Sequence, residues 1–598
     1  MSEYSAPLAD INFMLNHVVS LSDISKLPGY EHAEPDMIAQ VLDEAAKLAH
    51  DVLDPINRSG DEEGATLENG VVTTPKGFKE AYAQYCEGGW NGAPFDPELG
   101  GGGLPWSVTM ALGEMWNGAN LGFSLCTLLN QGSVEAIEAH GTEEQKSTYL
   151  EKMISGEWSG TMNLTEPGAG SDVGALKSKA EPAGDGTWRI KGQKIFITYG
   201  EHDFGKNIIH LVLARTPGSP AGTKGISLFI VPKFLINEDG SLGQRNDLRC
   251  IALEEKLGIH SSPTCVMSYG DNDECVGYMI GAENKGMSVM FTMMNNARLS
   301  VGVQGIGVSE RAYQHAVAYA TERVQGRPAG ESRNGAIIGH ADVRRNLMTM
   351  RALTEASRAI CLYDAECLDI ARHSEDRDHA TERQAMAELL TPISKSFCTD
   401  SALTVTSIGV QVHGGMGFIE ETGAAQYYRD CRILPIYEGT NGIQALDLVM
   451  RKLPMHGGAA FRSLMDEVAD TITRATDSND TRLQSIGQAL AVAAQAAADG
   501  AIWLTDTMAE DVNDAAAGAT PFQDMMGLVV GAHLLGRAAL AAEKLLAQGG
   551  QNKRFLSAKI DTAFFFATQL LPKAPALLPA VKAGAAPLYA VSEDALIA

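Results

Sequence analysis

Two glycine breaks punctuate an otherwise helical stretch at 411–452, QVHGGMGFIEETGAAQYYRDCRILPIYEGTNGIQALDLVMRK. The first, His413-Gly414-Gly415-Met416-Gly417, ends a long apolar run and lets backbone amides approach a ligand with no Cβ in the way. The second, Tyr437-Glu438-Gly439-Thr440-Asn441-Gly442, sets one carboxylate between an apolar run (Ile433, Leu434, Ile436) and a helix expected to start near Asn441. A carboxylate so placed is a candidate base. It fits equally a solvated turn ahead of a helix N-terminus, and this segment alone does not separate the two readings.

A third stretch with chemical potential is Met162-Asn-Leu-Thr-Glu-Pro-Gly-Ala-Gly-Ser-Asp172. Its closely spaced hydroxyls and backbone donors suit a flavin ring edge or phosphates, although loops of this kind usually just join elements. Two other glycine clusters carry no such reading. Gly100 to Gly103 lacks the following Lys-Ser/Thr of a phosphate loop and is taken as a flexible connection. Gly302-Val-Gln-Gly-Ile-Gly307 mimics a dinucleotide fingerprint but has no strand before it, which points to close helix packing instead.

The elements that must position these pieces follow from periodicity. At 34–52 apolar residues recur at helical spacing (Ile38, Val41, Leu42, Ala45, Leu48, Ala49, Val52), and further helical patterns run over 76–87, 105–116, 120–140 and 143–155. From Trp158 to about Ile280 short runs rich in β-branched residues, punctuated by Gly, Pro and Asn, predict a β domain. Beyond Gly281 the long patterns 288–322, 341–367 and 383–412 predict a helical bundle. Past Leu453 the chain is Ala-rich and helical again at 459–474, 483–508, 521–546 and 553–571, with no catalytic pattern. This tail is a domain of its own or an oligomer surface.

Composition excludes several classes. Against 47 basic side chains stand 74 acidic ones, a net charge of −27, which opposes nucleic acid or anionic lipid as main partner. The nine cysteines form no C-x-x-C pair, and no His cluster has metal spacing, so neither a disulfide framework nor a metal site is expected, and a reducing cytoplasm is. The N-terminus MSEYSAPLADINFML does not read as a signal peptide, and the apolar stretch 525–542 contains His533 and Arg537 and is short for a span, so no membrane span is expected.

Several segments, in order, resemble the acyl-CoA dehydrogenase family. They are Leu164-Thr-Glu-Pro-Gly-Ala-Gly-Ser-Asp172, Ile190-Lys-Gly-Gln-Lys-Ile-Phe-Ile-Thr198, Val276-Gly-Tyr-Met-Ile-Gly-Ala-Glu-Asn-Lys-Gly286, Met294-Asn-Asn-Ala-Arg298, Tyr319-Ala-Thr-Glu-Arg-Val-Gln-Gly326, Gln411-Val-His-Gly-Gly415 and Tyr437-Glu-Gly-Thr440. The collinear set covers about 104–452 and is highly specific. It implies an α+β acyl-CoA dehydrogenase fold: an N-terminal helical domain (1–157), a middle β domain (158–281) and a helical bundle (282–453). An additional C-terminal helical domain (454–598) follows. That tail and the opening Tyr4-Ser-Ala-Pro-Leu-Ala-Asp-Ile-Asn-Phe13 resemble a subgroup whose members dehydrogenate 3-(methylthio)propionyl-CoA in dimethylsulfoniopropionate breakdown, or ordinary fatty acyl-CoA.

By this resemblance Glu438 removes the α-proton of an acyl-CoA thioester and the β-hydrogen leaves as hydride to FAD, giving a trans-2-enoyl-CoA. The oxyanion that develops is held by the Glu438 amide and a ribityl hydroxyl, donors typically worth about 3 to 4 kcal/mol each. Leu164, Thr165, Ser171, Phe196 and Thr198 are implied at the isoalloxazine, with Thr440 facing it near the base. Arg323, Gln325, Gln411, Gly414 and Gly415 are implied at the pyrophosphate and adenosine, partly across the interface of a homodimer. Arg298, Ser171 and Gly439 are implied at the substrate, and an electron-transferring flavoprotein as acceptor. Two departures stand out: Gly442 replaces a glutamine common in the family, and Ala297 occupies the position where some relatives carry the base. An acyl-CoA oxidase shares these motifs and differs in passing electrons to oxygen. A DNA-binding flavoprotein of related fold is opposed by the acidic balance.

Overall fold

The computed structural model describes residues 3–598 and, of Asn295, the backbone alone. Residues 3–45, 105–118 and 298–598 form one compact unit and residues 46–104 and 119–297 another.

The second unit is built on an eight-stranded sheet: β1 (Trp158–Asn163), β2 (Lys179–Pro182), β3 (Trp188–Thr198), β4 (Asn207–Ala214), β5 (Ser227–Pro232), β6 (Leu248–Leu253), β7 (Thr264–Tyr269) and β8 (Val276–Ile280). The order is β6-β7-β3-β8-β5-β4-β1, with β2 on β3. Only β1 and β4 pair in parallel, with Trp158 opposite Asn207. Strands β1, β4 and β5 are buried along their whole length, as expected of strands covered on both faces. One core cluster joins them to the helices Leu121–His140 and Glu143–Ile154 through Leu129, Ile137, Tyr149 and Met153. Asn120 caps the first of these helices and Thr142 makes a reciprocal capping box with Gln145 on the second.

Strand β3 runs unbroken for 11 residues, with Lys191 and Gln193 on the outer side of its pleat. One expectation changes here. The Gly100–Gly103 segment is packed rather than flexible. Its amides at Gly101, Gly102 and Gly103 bond to Asp96, Gly92 and Phe95, and a Cβ at Gly101 would lie 2.1 Å from the Phe95 oxygen.

In the first unit three long helices, α1 (Gly286–Glu322, from Arg298 onward), α2 (Ala341–His373) and α3 (Arg377–His413), form the bundle. The glycines of α1 do what the sequence predicts. A Cβ at Gly305 would stand 2.7 Å from the Cys398 carbonyl oxygen, and one at Gly302 3.0 Å from that of Ser394, so α1 and α3 approach backbone to backbone. The short helix α4 (Asn441–Asp447) and the tail helix α5 (Ala519–Ala547) pack on α3 and on each other.

A buried ion network joins the chain's beginning and tail to this bundle. Arg358 on α2 bonds Glu114, Glu310 at 2.8 Å and Asp10, while Lys559 of the tail bonds Asp10 and, at 3.1 Å, Glu355. By length and composition Ala519–Ala547 and Lys553–Val581 each suffice to cross a membrane. The first has 83% of its most apolar stretch buried inside the unit, the mark of a core helix. The second is interrupted by a π turn at Phe566–Leu570 and by Pro572.

Candidate active site

The turn carrying Glu438 is closed by three amides: Ile436 and Tyr437 donate to the Ile433 carbonyl, and Asn441 donates to that of Pro435 at 3.0 Å. The Glu438 amide takes no part in these bonds. Glu438 itself has φ +53°, the left-handed region that a non-glycine residue adopts only where its surroundings impose it. Those surroundings are explicit. Thr440 caps α4 by accepting from Ile443, and the buried Gln444 side chain donates to the carbonyls of both Glu438 and Gly439, at 3.2 and 3.3 Å. Gly439 follows at φ +86°, where a Cβ would stand 2.7 Å from that Gln444 amide nitrogen. The turn therefore needs glycine on both conformational and steric grounds.

Arg298 is buried on α1 and donates to Asp447 of α4 at 3.2 Å, and one guanidinium nitrogen reaches within 3.9 Å of the position of a Gly439 Cβ. Desolvation raises the Glu438 carboxyl above its ordinary value, and Arg298, followed by Lys395 on α3, pulls it part of the way back. Glu438 is half-buried in this turn. Glu420 and Glu421 are exposed, and Glu420 is engaged by Arg429 at 3.1 Å.

In the sheet unit Leu164, Thr165, Phe196 and Thr198 come together. Ile195 donates to the Thr165 carbonyl at 2.9 Å, Thr161 bonds the Thr198 carbonyl at 2.8 Å, and Lys194 reaches the Leu164 carbonyl at 3.0 Å. Phe196 has φ +59° and is 58% exposed, an aromatic ring presented from a strand end by a constrained backbone. Ser171 lies exposed at the end of the same loop.

The post holding this loop is a pair that sequence reading missed. Glu166 accepts from Lys177, Ser178 and, at 2.8 Å, Lys194, which is fully buried. Burial drives the Glu166 carboxyl up, but Lys194 and these donors outweigh it and leave it below the ordinary range. Burial brings Lys194 down to about 8. The periodicity of β3 marks Lys194 as an ordinary strand residue, and only its 28-residue separation from Glu166, closed by the fold, gives it a role.

The remaining residues of the set form two exposed places in the bundle unit. Arg323 and Gln325 lie in the turn after α1, where Arg323 bonds Gln325 at 3.3 Å. Gln411, Gly414 and Gly415 lie at the end of α3, where Gly414 has φ +62° and ψ −141° and open space surrounds the Cβ positions of both glycines.

Four family models match the chain in succession: acyl-CoA dehydrogenase N-terminal domain over 36–157, its middle domain over 161–271, its C-terminal domain over 284–453, and the acetyl-CoA dehydrogenase C-terminal like domain over 464–592. The chain belongs to the acyl-CoA dehydrogenase family. It is an oxidoreductase that dehydrogenates acyl-CoA with FAD as cofactor.

It is 48% identical over 570 residues to a 3-methylmercaptopropionyl-CoA dehydrogenase of Ruegeria pomeroyi, covering 95% of this chain and 96% of that one. It is 35% identical to a butyryl-CoA dehydrogenase of Syntrophomonas wolfei, covering 99% of each. The fold is that of an acyl-CoA dehydrogenase of Bacillus anthracis solved in complex with FAD, with TM-score 0.74 at 21% identity over 91% of this chain and 88% of the other.

The residues present fit FAD. The exposed Phe196 ring offers an aromatic face, the loop at Thr165 and Thr198 offers hydroxyls, Arg323 offers an anion-binding guanidinium, and open space over Gly414 and Gly415 leaves room for close approach to the backbone.

Proposed function

We propose that this enzyme converts 3-(methylthio)propionyl-CoA to methylthioacryloyl-CoA, with Glu438 as the base. The observation that carries the substrate is the 48% identity with the Ruegeria enzyme, sustained over nearly the full length of both chains. FAD supplies the hydride acceptor for the β-hydrogen. The chain's own residues do the rest.

The thioester α-proton is a far weaker acid than a carboxylic acid, so its removal requires a base of raised proton affinity and a donor for the enolate oxygen as it forms. Desolvation provides the first at Glu438. The Glu438 amide, left out of the turn's own bonds, provides the second. Arg298, its guanidinium beside Gly439, draws the carboxyl part of the way back toward the charged form. Leu164, Thr165, Ser171, Phe196, Thr198 and Thr440 bind the isoalloxazine in this reading; Arg323, Gln325, Gln411, Gly414 and Gly415 bind the pyrophosphate and adenosine; Arg298, Ser171 and Gly439 contact the acyl-CoA.

The reading includes a homodimer and an electron-transferring flavoprotein as acceptor. Support for the dimer comes from Met416, Phe418 and Ile419, which follow the Gly414 turn and are 47, 85 and 47% exposed, an apolar patch of the kind buried between subunits. Sedimentation of a monomer would remove it. Rapid peroxide release in air, with no reduction of an added electron-transferring flavoprotein, would assign an oxidase instead.

Two measurements test the core of the proposal. Glu438→Gln preserves size and the backbone amide, so FAD and acyl-CoA still bind. Single-turnover flavin reduction falls by at least about 10² to 10⁴-fold, the range for loss of a general base. A wild-type rate in that variant overturns the assignment. For the substrate, kcat/KM across acyl lengths peaks at short chains, and 3-(methylthio)propionyl-CoA and its butyryl to hexanoyl counterparts differ by about 1 to 3 kcal/mol, the worth of one methylene. A peak at palmitoyl-CoA refutes it.

A further inference from the structure

One buried cation near the base turn has no part in the roles above. Lys395 lies on α3, fully buried, and donates through Nζ to the Asn441 side-chain oxygen at 2.8 Å. Asn441 is the first residue of α4 and the last link of the Glu438 turn, since its amide closes that turn on Pro435. Its side-chain nitrogen is in turn fixed by the Thr399 hydroxyl at 3.0 Å and approaches the Ser396 carbonyl at 3.4 Å. From the tail, Gln523 of α5 reaches the Asn441 carbonyl at 3.5 Å. Asn441 is thus gripped from the bundle and from the added C-terminal helices at once.

We propose that Lys395 is a positioning residue for the proton abstraction: it holds, by way of Asn441, the turn that presents Glu438. This rests on Glu438 being the base. A buried ammonium is expensive unless something compensates it, and here one neutral amide oxygen is the hydrogen-bond acceptor shown for it. Its charge therefore acts on the carboxylates nearby.

The ionisable groups facing Glu438 are Arg298 on α1, Lys395 on α3 and the neighbouring Tyr437. Those facing Lys395 are Asp400 on its own helix, Glu438 and Arg298. Asp400 faces Asp524 of α5 and Arg432. Desolvation brings Lys395 down to about 7, with Asp400 and Glu438 acting the other way. Lys395 in turn draws the raised Glu438 carboxyl part of the way back toward its ordinary value.

The test compares K395M, K395R and N441A as FAD-loaded enzymes, using the acyl-CoA that reduces the wild type fastest and following flavin bleaching against pH. K395M removes charge and bond together. Its acid limb moves up by about 1 pH unit, the low end for an opposite charge beside a carboxylate, and its rate at neutral pH falls at least about 10-fold. K395R restores the limb. N441A retains the cation, so its limb stays while its rate falls.

A K395M limb and rate coinciding with wild type overturn the proposal, provided E438Q is inactive. An active E438Q would instead show that the base assignment itself has failed. If K395M does not retain FAD, N441A and K395R decide: a wild-type rate in N441A, or a displaced limb in K395R, overturns it.

Discussion

Substituting Gly439 by alanine tests the geometry of the base turn without touching any titratable group. Glycine tolerates φ +86° freely, whereas an L side chain there costs about 1 to 2 kcal/mol. The new methyl would also lie 2.7 Å from the Gln444 amide nitrogen, inside van der Waals contact. Gln444 cannot retreat without giving up its bonds to the Glu438 and Gly439 carbonyls, each worth about 0.5 to 1.5 kcal/mol.

The sum, about 2 to 5 kcal/mol, is borne at the one segment that presents the carboxylate. A displacement of about 1 Å there is enough to slow the reaction about 10²-fold. G442A is the matched control: no positive φ is imposed at Gly442, and the nearest atom to its Cβ position is the Thr440 hydroxyl at 3.9 Å. With both variants holding FAD, single-turnover reduction by acyl-CoA should fall about 10² -fold in G439A and stay near wild type in G442A. Equal rates in the two variants would refute the claim that this turn is sterically fixed.

Two further outcomes concern the bundle. Gly305→Ala sets a methyl 2.7 Å from the Cys398 carbonyl oxygen and should lower stability by about 1 to 3 kcal/mol in a denaturant titration, while Gly113→Ala, whose methyl meets Val303 at an ordinary 3.5 Å, should cost little. Asp364, buried on α2 and accepting from Ser394, is raised by burial to about 8, against about 3.9 for an unfolded aspartate. The folded chain therefore holds the additional proton between these values, and stability present below about pH 4 is lost as pH rises through about 8. D364N, which never ionises, should flatten the fall of Tm between about pH 5 and pH 8; an unchanged slope contradicts this.

How far the sequence carries depends on whether a signal is local. The helices at 120–140 and 143–155 announce themselves by period and caps, and their observed bounds, Leu121–His140 and Glu143–Ile154, depart by one residue at an end. Glu438 stands out in the sequence as a candidate because Gly439 and Thr440 sit beside it in the chain. In β3 the polar Lys191 and Gln193 interrupt the apolar residues, and pairing with β2 and β7 shows the continuous ladder. Gly100 to Gly103 looks flexible from composition, yet the close carbonyls of Ala93 and Phe95 leave no room for a Cβ at Gly102 or Gly101.

Lys395 is the extreme of this series. It occurs in Pro392-Ile-Ser-Lys-Ser-Phe397, where period alone places it on a helix face like any other lysine, 43 positions before the glutamate it serves. Nothing in the spacing distinguishes a solvated lysine from one buried at 0% exposure. The distinction arises when α4 and α5 pack onto α3 and exclude water from its Nζ. The residue that makes a reaction possible in principle can be read from its neighbours in sequence, whereas the residues that fix its orientation and charge are set by packing between distant segments. Substitutions at Lys395 and Asn441 should accordingly change the pH dependence and rate of reduction with less effect on FAD retention than substitutions at Phe196 or Arg323, and the reverse ordering would place Lys395 in cofactor binding instead.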